Sequence, residues 1–347
     1  MSRASRFLDA CFLRPSDCTP VWLMRQAGRY QPSYRALRAR VPFLELCRTP
    51  ELAAQVTVNA VRELGVDAAI IFSDILVAAE AMGTKLELTE AGPVLPEPVL
   101  NASAVERLRV PDPTEAVPYL LEAVRLARRE LDGVVPLIGF AGAPLTLATY
   151  LVEGGHSKTY SRLKRMIFAE PATAHRLMDK LARTVVGLLR AQAEAGCQAL
   201  QIFDSWGGVL GPGDYRRFVL PYLQQVMAGL EGCGVPRILF ATGASSLLEL
   251  MAASGAEVIG VDWRLGLDEA RRRLGPDRAV MGNLDPGCLF LPDPELEARV
   301  GETLGEWGGG PGHIFNLGHG VLPETSPERA RYLVETVHRL SARSTAP

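Results

Sequence analysis

Arg25 and Arg29 stand four residues apart in MRQAGRYQPSYR (24–35), directly after the apolar run Val21, Trp22 and Leu23, and Arg35 and Arg38 follow closely. In a helical turn, residues i and i+4 share a face. Two guanidiniums on one face repel unless an anion sits between them, and the planar guanidinium fork suits bidentate binding of carboxylate or phosphate. The competing reading is internal, with salt bridges to the protein's own Glu45 or Asp74. Asp74 ends the run AAIIFSD (68–74). A carboxylate there can serve as general base, metal ligand or acceptor for buried N–H donors, or it can cap a helix or neutralise Arg25. His319 lies between two glycines in NLGHGV (316–321). Glycine permits close backbone approach to a ligand, and a hydrogen-bonded structural histidine is the alternative. Tyr150 and Ser205 are weaker signals, each explained as well by a buried hydroxyl with a local partner. Phe43, Phe140 and Phe203 read as core, or as the apolar wall of a cavity for a flat ligand. His156, His175, His313 and His338 read as structural.

Composition limits what these residues can do. With 347 residues, 48% hydrophobic and 22% charged, the chain matches a globular protein able to bury a large core. A net charge of -2 offers no global basic field for nucleic acid or an anionic membrane, so an anion site must be local. Lysine occurs only at 85, 158, 164 and 180, so arginine is the default cation and position must carry the argument. No apolar run reaches the length of a membrane span. The first residues lack the long apolar region of a signal peptide, and the expected location is cytoplasmic. Cys11, Cys18, Cys47, Cys197, Cys233 and Cys288 are scattered with no Cys-x-x-Cys pair, which reads as reduced thiols. There is no phosphate-binding P-loop, GxSxG elbow, HExxH or thiolate zinc spacing. No metal or organic cofactor is expected.

Short apolar runs alternate with stretches of helical periodicity. Strands are expected at 21–24, 68–72, 135–140, 199–203, 237–240, 258–261, 279–281 and 314–317, with helices between them, such as 50–65 and 172–196. Continuous apolar runs, rather than alternating ones, mark parallel strands buried on both faces. Eight such units predict a (β/α)8 TIM barrel, a single domain over residues 1–347. A doubly wound open sheet is the second choice, disfavoured as a dinucleotide-binding fold by the absence of GxGxxG after the first strand. The proline-rich segment 84–118 breaks the rhythm and reads as an elaborated loop or short hairpin after strand 2, and the tail 341–347 as frayed. In such barrels the chemistry sits at the carboxyl ends of the strands. There the sequence brings Arg25 and Arg29, Asp74, Tyr150, Asp204 and Ser205, Asp262, and His319 toward one rim.

The motifs PVWLMRQAGRYQPSYR, DAAIIFSDIL, GFAGAPLTLATYLVEGG, LQIFDSWGGVLGP, VDW, GNLDP and NLGHGVLPETSPE, in this order over about residues 5–340, resemble the uroporphyrinogen decarboxylase family. The resemblance implies a cofactor-free (β/α)8 barrel, usually a homodimer, that converts the four acetates of uroporphyrinogen to methyls and gives coproporphyrinogen in haem biosynthesis. It also implies that Arg25, Arg29 and Arg38 bind the substrate carboxylates and that Gln26, Ala27 and Gly28 are substrate-binding positions. Asp74 would lie beneath the pyrrole N–H groups, Tyr150, Ser205 and His319 on binding positions, and Phe43, Phe140 and Phe203 on apolar walls. Arg25, Arg29 and Asp74 are the implied catalytic set. One departure is His156, where a small residue is expected. Same-fold methyltransferases and a non-catalytic tetrapyrrole carrier are the alternatives.

Overall fold

The computed structural model describes residues 3–89 and 92–343. Its nine strands are β1 (Ala69–Ile70), β2 (Glu87–Thr89), β3 (Gly92–Val94), β4 (Leu137–Gly142), β5 (Ala199–Asp204), β6 (Arg237–Ala241), β7 (Val258–Gly260), β8 (Ala279–Leu284) and β9 (His313–Leu317). Seven of them form one parallel sheet in the order β1-β4-β5-β6-β7-β8-β9, and β2 pairs with β3 in an antiparallel hairpin. Helices connect the parallel strands, including Pro50–Leu64 and the 25-residue Pro171–Ala195.

Both faces of the sheet are buried, which is why its strands read as unbroken apolar runs. Alternate residues point to opposite sides. Ile138, Ala199, Phe203, Ile238, Phe240, Ala279, Met281 and Ile314 converge with Trp22 on an inner cluster. Leu137, Leu200, Ile202, Leu239, Phe315 and Leu317 instead pack outward into the larger core beneath the helices. Strands from the whole sheet meeting in one inner cluster curl the sheet.

The first expected strand is corrected. Residues 21–24 are fully buried, but only Val21 pairs, in an isolated parallel bridge to Phe315 of β9. On its other side Val21 accepts a 2.7 Å bond from the Asp67 amide, two residues before β1. The Trp22 N–H donates to the Phe315 carbonyl (3.3 Å), while the other three amides bond to side chains. The Val21 N–H donates to Asp67 Oδ2 (2.8 Å), that of Leu23 to Gln26 Oε1 (3.1 Å) and that of Met24 to Asn316 Oδ1 (3.1 Å). Backbone bonds to β9 and Asp67 hold residues 20–22, and from Leu23 onward side chains replace the ladder that a strand would make.

The expected hairpin in 84–118 is present as β2–β3, followed by the short helices Ala102–Arg107 and Pro113–Ala116. Val94 bridges to Gly155, and the amides of Leu95 and Val99 donate to the carbonyls of Gly154 and Leu151. The hairpin is thereby docked on the helix Pro144–Glu153, which carries Tyr150. Ser341 ends the last helix, Pro327–Ser341, and Arg343 donates to the Asp17 carbonyl, so the tail is ordered to 343. The remainder of the tail lies outside the described residues. The six cysteines are free thiols. Among the described residues, no helix is long and apolar enough to cross a membrane.

Candidate active site

A cavity of about 490 Å³ opens beside the 24–29 turn and the carboxyl ends of β1, β4 and β5. Its wall contains Arg25, Gln26, Ala27, Gly28, Arg29, Phe43, Asp74, Phe140, Tyr150, Phe203, Ser205 and His319, twelve of the thirteen residues singled out from sequence. Arg38 stands outside, its guanidinium 5.7 Å from the centre of the Phe43 ring and donating to the Val41 carbonyl.

The 24–31 turn is fastened by its neighbours. Gln26, buried to 1% exposure, spends its side chain internally, accepting from the Leu23 N–H and donating 3.2 Å to the Ala68 carbonyl. It therefore reaches the cavity as wall rather than as a donor. Tyr30 Oη donates to the Gln26 carbonyl at 2.6 Å. Arg35 donates to the carbonyls of Arg29 and Tyr30 and so holds the turn instead of an anion.

Arg25 adopts a left-handed backbone conformation (φ 61°), rare for a residue with a side chain. Desolvation first, and then the like charge of Arg29, lower its pKa from the usual arginine value; the opposing influence is the Tyr150 hydroxyl. No carboxylate pairs with either guanidinium among the described residues, so the expected alternative of a salt bridge to Glu45 or Asp74 is not realised.

Asp74 Oδ1 accepts from the Leu76 N–H at 2.7 Å, just ahead of the short helix Val77–Ala81. That bond closes a turn rather than capping the helix, whose cap position is Leu76 with no side-chain cap bond, and it occupies one oxygen. Burial raises the Asp74 pKa above the ordinary carboxylate range, the Leu76 bond opposes this, and Glu80 adds to it. Tyr150 is held protonated by burial and by the charge of Asp74. Burial, followed by the Arg25 charge, lowers the pKa of His319, which favours a neutral imidazole. Phe140 and Phe203 meet edge to face at 5.6 Å, and Phe43 meets Phe72 the same way at 5.9 Å. Two unpaired cations, one desolvated acid, two neutral hydrogen-bonding side chains and an aromatic floor thus share one space.

Two acids expected at the rim are internal. Asp204 is fully buried, accepting from Tyr215 Oη (2.9 Å) and Thr146 Oγ1 (3.2 Å). Asp262 is buried and accepts from the amides of Gly243 and Arg264 and from the Arg264 guanidinium. His175 bonds Tyr222 and His338 bonds Asp67, as structural histidines do. His156 is exposed and sets its ring edge-on to Trp206 at 6.0 Å. Sequence reasoning missed Tyr34, Phe72, Pro93 and Val321 in the wall, while Ser73, placed beside Asp74 at the end of the strand, does line it. Pro93 arrives from the docked hairpin, and no local spacing signals that.

The family model of uroporphyrinogen decarboxylase matches residues 2–340. The chain is 56% identical to the uroporphyrinogen decarboxylase of Myxococcus xanthus, covering 96% of both chains. It is 56% identical to that of Syntrophotalea carbinolica, over 96% of this chain and 97% of the relative. Among solved structures, a methyltransferase from Methanosarcina mazei superposes with a TM-score of 0.77 over 98% of this chain and 99% of that one. At 22% identity this is a likeness of fold. The chain belongs to the uroporphyrinogen decarboxylase family.

Proposed function

We propose that this protein converts the four acetate side chains of uroporphyrinogen to methyls, giving coproporphyrinogen, inside the cavity bounded by Arg25, Arg29, Asp74 and His319. The observation that carries this reading is the pair of guanidiniums without acid partners facing the same space as a desolvated carboxylate. A macrocycle with eight carboxylates supplies the anions that Arg25 and Arg29 lack. The aromatic walls accept its pyrrole rings, and the volume is that of a small-molecule site.

Loss of carbon dioxide from an acetate needs a sink for the electron pair of the breaking C–C bond. Protonation of a pyrrole carbon makes the ring a cationic, iminium-like sink. The bond breaks, the pair flows into the ring, carbon dioxide leaves, and a proton delivered to the methylene carbon completes the methyl while the ring returns its own proton. In this reading Asp74 accepts from the pyrrole N–H groups with its remaining oxygen and offsets the developing positive charge. Arg25 is the proposed proton donor. A guanidinium is a weak acid; Arg25 is solvent-exposed at the cavity, and partial desolvation and then the Arg29 charge lower its pKa. Tyr150, Ser205 and His319 orient the ring and its side chains.

We also propose that residues 20–22, bonded to both β9 and the Asp67 amide, act as the eighth stave of a single-domain (β/α)8 barrel, and that the protein works in the cytoplasm as a homodimer. Sedimentation of the purified chain tests the dimer. Anaerobic incubation with uroporphyrinogen III, followed by chromatography of the hepta-, hexa-, penta- and tetracarboxylate products, tests the reaction. Stepwise conversion to the tetracarboxylate is expected. Binding without release of carbon dioxide would replace the reading by that of a tetrapyrrole carrier.

A further inference from the structure

Arg25 has no acid partner and a backbone conformation that side chains avoid, so its position has to come from elsewhere. The loop after β9 supplies it. The Val321 N–H donates to the Met24 carbonyl at 2.9 Å, and Asn316 Oδ1 of β9 accepts from the Met24 N–H at 3.1 Å, clamping the residue before Arg25 on both sides. Gly320 completes the seat. A Cβ on Gly320 would lie 2.3 Å from Cδ, 2.7 Å from Cγ and 3.0 Å from Nε of Arg25, so the arginine stem fills the place where any other residue would carry its side chain.

We propose that Gly320 is the positioning residue for Arg25, fixing the guanidinium by shape so that its N–H donors stay available to a substrate carboxylate. An ion pair would place the same guanidinium while occupying those donors. This inference rests on the proposed decarboxylase reading for its catalytic consequence, but not for its structural one. Gly320 does not lie in the left-handed region, so alanine strains no backbone there. The clash falls on a movable side-chain stem. Gly320→Ala should therefore fold normally and displace Arg25.

Three readouts test this. A crystal structure of substrate-free Gly320→Ala is expected to show the Arg25 guanidinium moved by about 1 Å or more, a displacement on the scale that costs about 100-fold in rate when it falls on a reacting group. An Arg25 in its original place overturns the proposal whatever the activity. In turnover of uroporphyrinogen III, kcat/KM should fall by about tenfold to 100-fold in Gly320→Ala. The same change added to Arg25→Ala should cost less than about twofold, because contacting residues are non-additive. Equal losses in both backgrounds would mean general damage to the cavity and would overturn the proposal. Absence of turnover in the unmodified protein fails the decarboxylase reading and leaves the crystallographic test standing. The melting midpoint should match that of the parent, and a large drop would show that the loop cannot absorb the methyl by moving Arg25.

Discussion

Asp74 is where charge and architecture meet. Its Oδ1 is committed to the Leu76 amide, and burial keeps its proton affinity high. Asp74→Asn preserves an acceptor for that bond and removes only the charge. The loss of turnover then measures electrostatic stabilisation, expected at about 100-fold to 1000-fold in kcat. The sign of the pH effect follows from the raised pKa. Asp74 becomes protonated, and the developing cation loses its counter-charge, at a pH above the range where ordinary carboxyls titrate. Activity should fall on acidification through that raised pKa, and the acid limb should flatten in Asp74→Asn. The substrate's own carboxylates titrate alike with both proteins, so the difference between the two kcat profiles isolates Asp74. An identical acid limb in both would remove Asp74 from this role. At this scale much of the site was legible in the sequence. Charged residues at the ends of apolar runs marked the site in part: Arg25, Arg29, Asp74 and His319 reach the cavity, whereas Asp204 and Asp262 turn inward to structural partners. Arg35 was not legible, because its duty is to two carbonyls that only the folded turn presents.

At the scale of elements, the two glycines flanking His319 do different work. Gly320 yields space to a side chain. A Cβ on Gly318 would instead lie 2.6 Å from the main-chain nitrogen of Trp263, an atom that cannot swing away. Gly318→Ala is therefore expected to destabilise the fold by about 1–3 kcal/mol, the usual cost of overpacking, while Gly320→Ala leaves stability unchanged. Calorimetry of the two variants side by side checks this, and equal melting midpoints would refute the distinction. The same loop explains what the pattern of residues misread. Val21 to Met24 has the composition of a buried strand and is buried, yet three of its four amides bond to Asp67, Gln26 and Asn316 side chains. Two of these partners lie far away in sequence, so periodicity, which senses burial alone, could not distinguish this clamp from a ladder. The runs that became β4, β5, β6 and β9 were legible because their neighbours are other strands of the same kind.

Across the whole molecule, two fully buried titratable groups pull stability in opposite directions. Burial raises the Asp204 pKa to about 6, against the bonds from Tyr215 and Thr146. Burial lowers that of His313, stacked on Trp307 and bonded to the Gly282 carbonyl, to about 4. The native state takes up the Asp204 proton near pH 6, before the unfolded chain does, so this group adds stability as the pH falls from about 6 toward 4. His313 does the reverse, because the unfolded chain takes up a proton near 6.5 that the native core refuses until about 4. Its contribution is complete above 6.5 and is lost on acidification. Each shift is on the order of 3 kcal/mol, and the two act with opposite sign. The groups share no hydrogen-bond partner, so their effects should add. Between pH 6.5 and 4.5, Asp204→Asn should therefore lose melting temperature more steeply than the parent. His313→Gln, which keeps a donor for Gly282, should lose it less steeply or gain. The double variant should return to the parent slope. Melting curves over that range decide the matter. Carboxylates elsewhere titrate equally in all four proteins, so parallel slopes in the single variants would mean that neither buried group governs acid stability. Opposite slopes that cancel in the double variant would show that acid tolerance here is a balance struck between two buried groups on strands β5 and β9 of one sheet.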